Sequence, residues 1–263
     1  MFIPLHDTNS LKHIKLQYVT ITLIVLNALI FLFTNVVASE PVAEAAVVGL
    51  GYIPAVVFHY AYLEPAMILV PDYATYVTYA FLHTDIMHLA TNMLFLWVFG
   101  DNVEDALGHV RYLLFYLVCA AAGALVHGLV GPSSQAPLIG ASGAISGVVA
   151  AYMILHPKVR VWVLVLFRIP LPLPAFIPLA FWIGQQFFMV LIDPEGDVSW
   201  GAHVGGIIAG LILVVILRRR DVPLFDRTIV TPRAVRHVEA AQVTVPPAAS
   251  EPVRKPTQWG RPS

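Results

Sequence analysis

Charged side chains are the scarcest component of this 263-residue chain. Asp, Glu, Lys and Arg together make up 12% of it, about half of what a soluble domain carries. Cysteine occurs once, at Cys119. That excludes an internal disulfide and a cysteine-based metal site. Cys119 lies in an apolar run and reads as a small buried hydrophobe, not a reactive thiol. No HExxH motif and no internal repeat is present. No basic block suits nucleic acid beyond Arg218-Arg219-Arg220, which reads better as a membrane-edge anchor. What the chain does have is apolar mass: 58% hydrophobic residues and a mean hydropathy of +0.77. The composition points to a multi-pass protein of the lipid bilayer.

Six apolar stretches read as spanning helices, judged against the ~20 residues that a bilayer core demands. They run from about Tyr18 to Val36, Ile86 to Val103, Tyr112 to Val130, Ala141 to Leu155, Pro174 to Ile192 and Gly201 to Leu217. Val36-Val37-Ala38 resembles a signal-peptide cleavage site. The run before it exceeds the usual apolar region of about 7–15 residues, so a retained helix is expected. The loop charges support the count. Lys12, Lys15, Arg111, Lys158, Arg160, Arg168 and Arg218 to Arg220 fall on one side. Glu40, Glu44, Glu64, Asp72, Asp193, Glu195 and Asp197 fall on the other, with no lysine or arginine. The positive-inside rule then makes both termini cytoplasmic, in a cell membrane. The expected organisation is a cytoplasmic segment (1–17), an all-α membrane domain of six transmembrane helices (18–218) and a flexible cytoplasmic tail (219–263). The long outer loop, Val37 to Leu82, is rich in Tyr and aliphatic residues. Short interfacial helices are expected there.

This topology puts four polar residues at about one depth. His88 and Asn92 open the second span, Ser142 opens the fourth and His203 opens the sixth. Polar and ionisable groups in hydrocarbon are functional candidates by default. Histidine is the commonest base for activating a serine. His88 and Asn92, four residues apart, share a helical face, and both can donate hydrogen bonds. The backbone amide of Ser142 lies at a helix N-terminus, which favours an anion. A nucleophile, a base and oxyanion donors together suit acyl transfer. Gly143 with Gly147, and Gly206 with Gly210, are small-xxx-small pairs that allow close helix approach in lipid.

Other readings of the same residues exist. Ser142 and the glycines could serve helix packing alone. His203 could belong to a proton path. His83, His88 and His203 could hold a metal, although no carboxylate lies in the outer half of any span. Ser146, one turn deeper than Ser142, suits packing better than attack. Asp85 and Asp197 are the nearest candidates for a third catalytic member, and both read as loop residues. His127 and His156 read as interfacial. A non-catalytic binder of membrane helices is the runner-up function, and a transporter the third.

Three motifs in order carry a family resemblance. His83-Thr84-Asp85-Ile86-Met87-His88-Leu89-Ala90-Thr91-Asn92, Gly140-Ala141-Ser142-Gly143 and Ala202-His203-Val204-Gly205-Gly206 through Gly210 resemble the signatures of the rhomboid intramembrane serine proteases. The likeness covers about Tyr18 to Leu217. It implies a rhomboid-like helical bundle and a Ser142–His203 dyad without an acidic third member. It also implies an oxyanion hole made by His88, Asn92 and the Ser142 amide. His83, Gly140 and Gly143 would support the site, and Glu104 would match a structural glutamate near the inner end of the second helix. It implies transmembrane protein substrates, cut in or near their spans with small residues before the scissile bond. The fifth helix would gate access. No cofactor, metal or nucleic acid is implied. Two positions depart from the family pattern. Ala74 and Thr75 stand where some members have Trp-Arg. Ser146 stands where some have a tyrosine that stacks on the catalytic histidine, so His203 must be oriented in another way.

Overall fold

The computed structural model describes residues 2–165, 168–193, 196 and 198–226. The chain begins with strand β1 (Phe2–Asp7) and helix α1 (Tyr18–Leu32), which runs into a π turn (Phe33–Val37). Short helices α2 (Glu40–Leu50), α3 (Pro54–Val57) and α4 (Asp72–Thr78) follow, the last continued by a 3-10 turn (Tyr79–Phe81). Then come α5 (Ile86–Leu107), α6 (His109–Val130), α7 (Ser142–Leu155), strands β2 (Arg160–Val165) and β3 (Ile169–Pro174), α8 (Phe176–Ile192) and α9 (Trp200–Leu217). Tyr18–Val37, α6 and α9 are long and apolar enough to cross a membrane, and α7 and α8 are shorter apolar helices. The loop from Val37 to Leu82 contains short helices, as its length and aromatic content suggest.

Helix α5 is as long as α6, but its second half carries Asp101, Glu104 and Asp105. Two of these carboxylates close the approach to α1. Glu104 is fully buried and accepts hydrogen bonds from the Val19 amide (3.0 Å), the Thr20 amide (2.8 Å) and the Thr20 hydroxyl (2.7 Å). These are first-turn amides of α1 that have no partner within their own helix. Asp105 accepts from the successive amides of Lys12, His13 and Ile14 at 2.7–2.9 Å. The structural role that the resemblance implies for Glu104 thus has a physical content: it caps another helix.

An all-α chain is the sequence expectation, and in this respect the structure differs. A three-stranded antiparallel sheet in the order β1-β2-β3 adjoins the helices. In β2, Val161 and Val163 are buried at alternate positions, the period-2 pattern of a strand with one covered face. Strand β3 reads Ile-Pro-Leu-Pro-Leu-Pro. Its prolines fall at every second residue, leaving Ile169, Leu171 and Leu173 as the residues able to donate toward β2. The open edge of the sheet is stripped of N–H groups, which discourages pairing with another chain. Strand β1 comes from the far end of the sequence, and no local window reveals its partner. A tail from residue 219 is also expected, yet the chain stays attached to the helices for longer. The amides of Arg219, Phe225 and Asp226 donate to the carbonyls of Ala106, Ile154 and Leu155. The expected tail from 227 onward lies outside the described residues.

The last residue of β1 ties the sheet to the bundle. Asp7 Oδ2 accepts from the Tyr152 hydroxyl (2.6 Å) and from Asn102 Nδ2 (3.0 Å). Burial, the largest influence, pushes the Asp7 carboxyl up to about 6 from 3.8, against the opposing hydrogen bond from Tyr152. A carboxyl whose folded pKa lies above its unfolded value adds stability below the unfolded value. It loses that contribution as pH rises through about 6. Asp7→Asn is therefore expected to be more stable than the wild type at pH 8, by at most about 3 kcal/mol. The gap should close toward pH 4.5. Thermal unfolding of both proteins in detergent across that range checks this, and parallel curves would refute it.

Helix α9 packs against both α6 and α7, and glycine sets the spacing. A methyl group on Gly206 would overlap the Gly143 carbonyl oxygen, and one on Gly210 would overlap the Gly147 carbonyl oxygen. On the α6 side, a methyl on Gly205 would meet the Ala122 carbonyl. The two small-xxx-small pairs of the sequence therefore face each other across one interface. Cys119 is buried, and its sulfur rests against Gly147, the packing role its apolar setting suggests.

Candidate active site

Ser142 is the first residue of α7, and three contacts fix its approach. Tyr52 and Leu138 exchange backbone hydrogen bonds (3.1 and 2.8 Å). The Gly140 amide donates to the Tyr79 carbonyl (3.0 Å), and the Tyr79 hydroxyl donates to the Ala120 carbonyl on α6 (2.9 Å). Gly140 has φ +121°, a region that L side chains rarely adopt. A Cβ there would also stand 2.7 Å from the ring of His88. Glycine is thus needed at this position both for the turn and for the imidazole lying on it.

His203 lies in the first turn of α9 and is buried. Its Nε2 is 2.9 Å from Ser142 Oγ, across the interface closed by Gly143 and Gly206. Its Nδ1 is 2.8 Å from Gln186 Oε1 on α8. A carbonyl oxygen can only accept, so Nδ1 carries the proton and Nε2 presents its lone pair to the serine hydroxyl. That is the tautomer a base needs. Trp182 and Trp200 flank the ring, with centroids 6.1 and 6.0 Å from it. Ser146, four residues after Ser142, donates to the Ser142 carbonyl (2.6 Å).

A cavity of about 470 Å³ brings the other expected residues to the same place. It is lined by His88, Asn92, Ser142, Ser146, His203 and the α8 residues Trp182 and Gln186, among others. Asn92 Nδ2 donates to the His88 carbonyl (2.9 Å), which uses one amide hydrogen and leaves the second. His88 Nδ1 is 3.1 Å from the Thr84 hydroxyl, which itself donates to Asp85 Oδ2 at 2.9 Å. With that hydroxyl committed, Nδ1 is the donor and the neutral ring holds a lone pair at Nε2. Donation from Nε2 requires the Thr84 hydroxyl to turn toward Nδ1, or the ring to gain a proton.

His83 does not line the cavity. It is buried, with both ring nitrogens unpartnered among the described residues, and burial lowers its pKa to about 4. It packs edge-to-face on His88 at 5.1 Å and so holds that ring as a neutral wall. Asp85 caps α5, accepting from the Met87 and His88 amides, and the His88 bond leads the causes that lower its pKa. It has no contact with His203. Asp197 lies outside the described residues. His127 is in the last turn of α6. His156, expected at an interface, is buried at the C-terminus of α7, and burial lowers its pKa to about 4. Among the described residues no three His, Cys, Asp or Glu side chains group as metal ligands.

Gln186 is the site residue that sequence reasoning missed. The available signal was a pair of amides, Gln185-Gln186, inside an otherwise apolar helix. Choosing between the two needs the rotation of α8, and only the fold supplies that.

The family profile described as the Rhomboid domain matches residues 71–220. Rhomboid protein 1, mitochondrial, of Saccharomyces cerevisiae is 31% identical over 182 residues, covering 64% of this chain and 49% of that protein. Rhomboid-related protein 3 of Homo sapiens is 28% identical over 193 residues, covering 69% and 47%. Rhomboid protease GluP of Bacillus subtilis is 30% identical over 154 residues, covering 59% and 28%. The chain spans half or less of the length of these relatives. The profile match takes in more than half of this chain, from the start of α4 past the end of α9, and the chain belongs to the rhomboid family.

Proposed function

We propose that this protein is an intramembrane serine endopeptidase that cuts transmembrane protein substrates in or near their spanning segments. The observation that carries this reading is the 2.9 Å contact between Ser142 Oγ and His203 Nε2, in a cavity that also holds Asn92 and His88. The Ser142 oxygen attacks the peptide carbonyl carbon as its proton passes to His203 Nε2. The carbonyl oxygen takes up the displaced electron pair as an oxyanion. The second Asn92 amide hydrogen, the Ser142 amide and, once its Nε2 carries a proton, His88 donate to it. Collapse expels the amine, which takes the proton from His203, and water then hydrolyses the acyl-enzyme. Apart from that water, the protein's own residues supply the groups this cycle uses.

The topology that fits this chemistry has six spans: α1, α5, α6, α7, α8 and α9. Both termini are cytoplasmic in a cell membrane, and the mouth of the cavity opens on the outer side. The lysine-free outer loops and basic inner loops favour that orientation.

Labelling with a serine-directed fluorophosphonate tests the reading. Modification should map to Ser142 and require His203. A binder or transporter on the same scaffold would not react, and a metal-dependent hydrolase would lose activity on chelation. Asn92→Ala is expected to lower kcat by about 10²-fold with little change in KM, because its donor acts on the transition state. Steady-state kinetics on a cleavable membrane substrate checks this, and unchanged kcat in a folded variant removes Asn92 from the oxyanion hole.

A further inference from the structure

We infer that Gln186 positions the base, fixing both the tautomer and the orientation of His203 where a dyad has no carboxylate to do so. The inference rests on the serine-protease reading of the site.

His203 has two ring nitrogens and two polar neighbours. Ser142 occupies Nε2 and Gln186 occupies Nδ1. Which end of the Gln186 amide faces the ring follows from its other contact. Gln186 Nε2 donates to the Trp182 carbonyl one turn back on the same helix, at 2.8 Å. A flipped amide would set its oxygen against that carbonyl oxygen and lose the bond. The backbone of α8 therefore holds Oε1 toward the imidazole, Oε1 demands a hydrogen on Nδ1, and Nε2 is left as the acceptor for the serine proton. When that proton arrives, the ring becomes cationic, and its bond to Oε1 becomes charge-assisted and stronger. Gln186 thus acts more in the transition state than before it, without touching substrate.

The placement of Gln186 on α8 supports a dedicated role. Only Pro178, Leu179 and Gln186 are buried on this helix, and Gln186 is 1% exposed. The one deeply buried polar side chain of an otherwise loosely covered helix is spent on the catalytic imidazole. The ring is free of the stacking tyrosine, because Ser146 stands in that place and turns to the Ser142 carbonyl. Trp182 and Trp200 bound the ring but offer it no acceptor at Nδ1.

The test uses the full-length protein in detergent or lipid nanodiscs. Gln186→Leu is expected to lower kcat by about 10- to 100-fold, the loss of one hydrogen bond to a charged group, with KM nearly unchanged. The rate of fluorophosphonate labelling per folded molecule should fall in parallel. Gln186→Glu is expected to restore turnover and to move the acidic limb of the kcat/KM profile upward by about one pH unit, because a carboxylate favours the imidazolium. A merely structural amide would change the yield of folded protein and leave that limb in place. In the wild type, the ¹⁵N signals of His203, assigned by their loss in His203→Gln, should show a protonated Nδ1 and an unprotonated Nε2. That reading needs no Gln186 variant to fold. Labelling of the wild type at Ser142, with an unchanged labelling rate and pH profile in Gln186→Leu or the opposite tautomer by NMR, overturns the role of Gln186 alone. Absence of wild-type labelling overturns the protease reading instead.

Discussion

If the proposed mechanism holds, Ser142→Ala is expected to lower kcat on a membrane-protein substrate by on the order of 10⁴-fold or more, and His203→Ala to do much the same. The two side chains share one hydrogen bond of 2.9 Å, and in the proposed mechanism they act as a unit. The double variant should therefore be hardly slower than either single one, because each removes the same step. Substrate affinity should survive in all three. The cavity walls from α5 and α8 remain, and neither helix depends on the serine hydroxyl for its packing. The measurement is single-turnover cleavage of a reconstituted single-span protein, with fragment sequencing to locate the cut. A Ser142→Ala protein that cuts the same bond at the wild-type rate overturns the nucleophile assignment. Losses that multiply in the double variant would mean that the two residues serve separate steps.

Gly206→Ala is the second large effect, and it acts through space that does not exist. The added methyl would overlap the Gly143 carbonyl oxygen, a backbone atom with no rotamer to relieve it. Helices α7 and α9 would have to part by on the order of 1 Å to restore ordinary contact distances. Overpacking of this kind costs about 1–3 kcal/mol. The same displacement moves His203, one turn earlier on α9, away from Ser142 on α7, and a 1 Å misplacement can cost about 10²-fold in rate. The expected result is a folded protein with a lower melting temperature and at least that loss in kcat. Gly184→Ala on α8 is the control, because nothing lies within 4 Å of a methyl there. If Gly206→Ala matched it in both stability and rate, the interface would be looser than described.

The residues that turned out to be neighbours were readable for different reasons. Ser142, His203, His88 and Asn92 stood out because polar groups at the mouths of apolar runs are costly. Their common depth followed from the order of those runs and the loop charges. Gly143, Gly147, Gly206 and Gly210 were readable as close-packing pairs, though their pairing with each other needed the fold. The sheet was not readable. Prolines at alternate positions of β3 argue against a strand in any local window, and the partner of β2 lies before α1. The partners of Glu104 and Asp105 were hidden for a similar reason, since what they cap is backbone from another part of the chain. Gln186 was hidden by phase: adjacent amides in an apolar helix do not declare which one faces inward.

The tether between Asp7 and Tyr152 joins residues 145 apart in sequence. During synthesis, β1 leaves the ribosome long before β2 and β3 exist to receive it. It must wait at the membrane surface, unpaired, until the segment between α7 and α8 has been made. Closure of the sheet therefore waits until α1, α5, α6 and α7, the last carrying Ser142, have all been made, and it can precede the synthesis of α9, which carries His203.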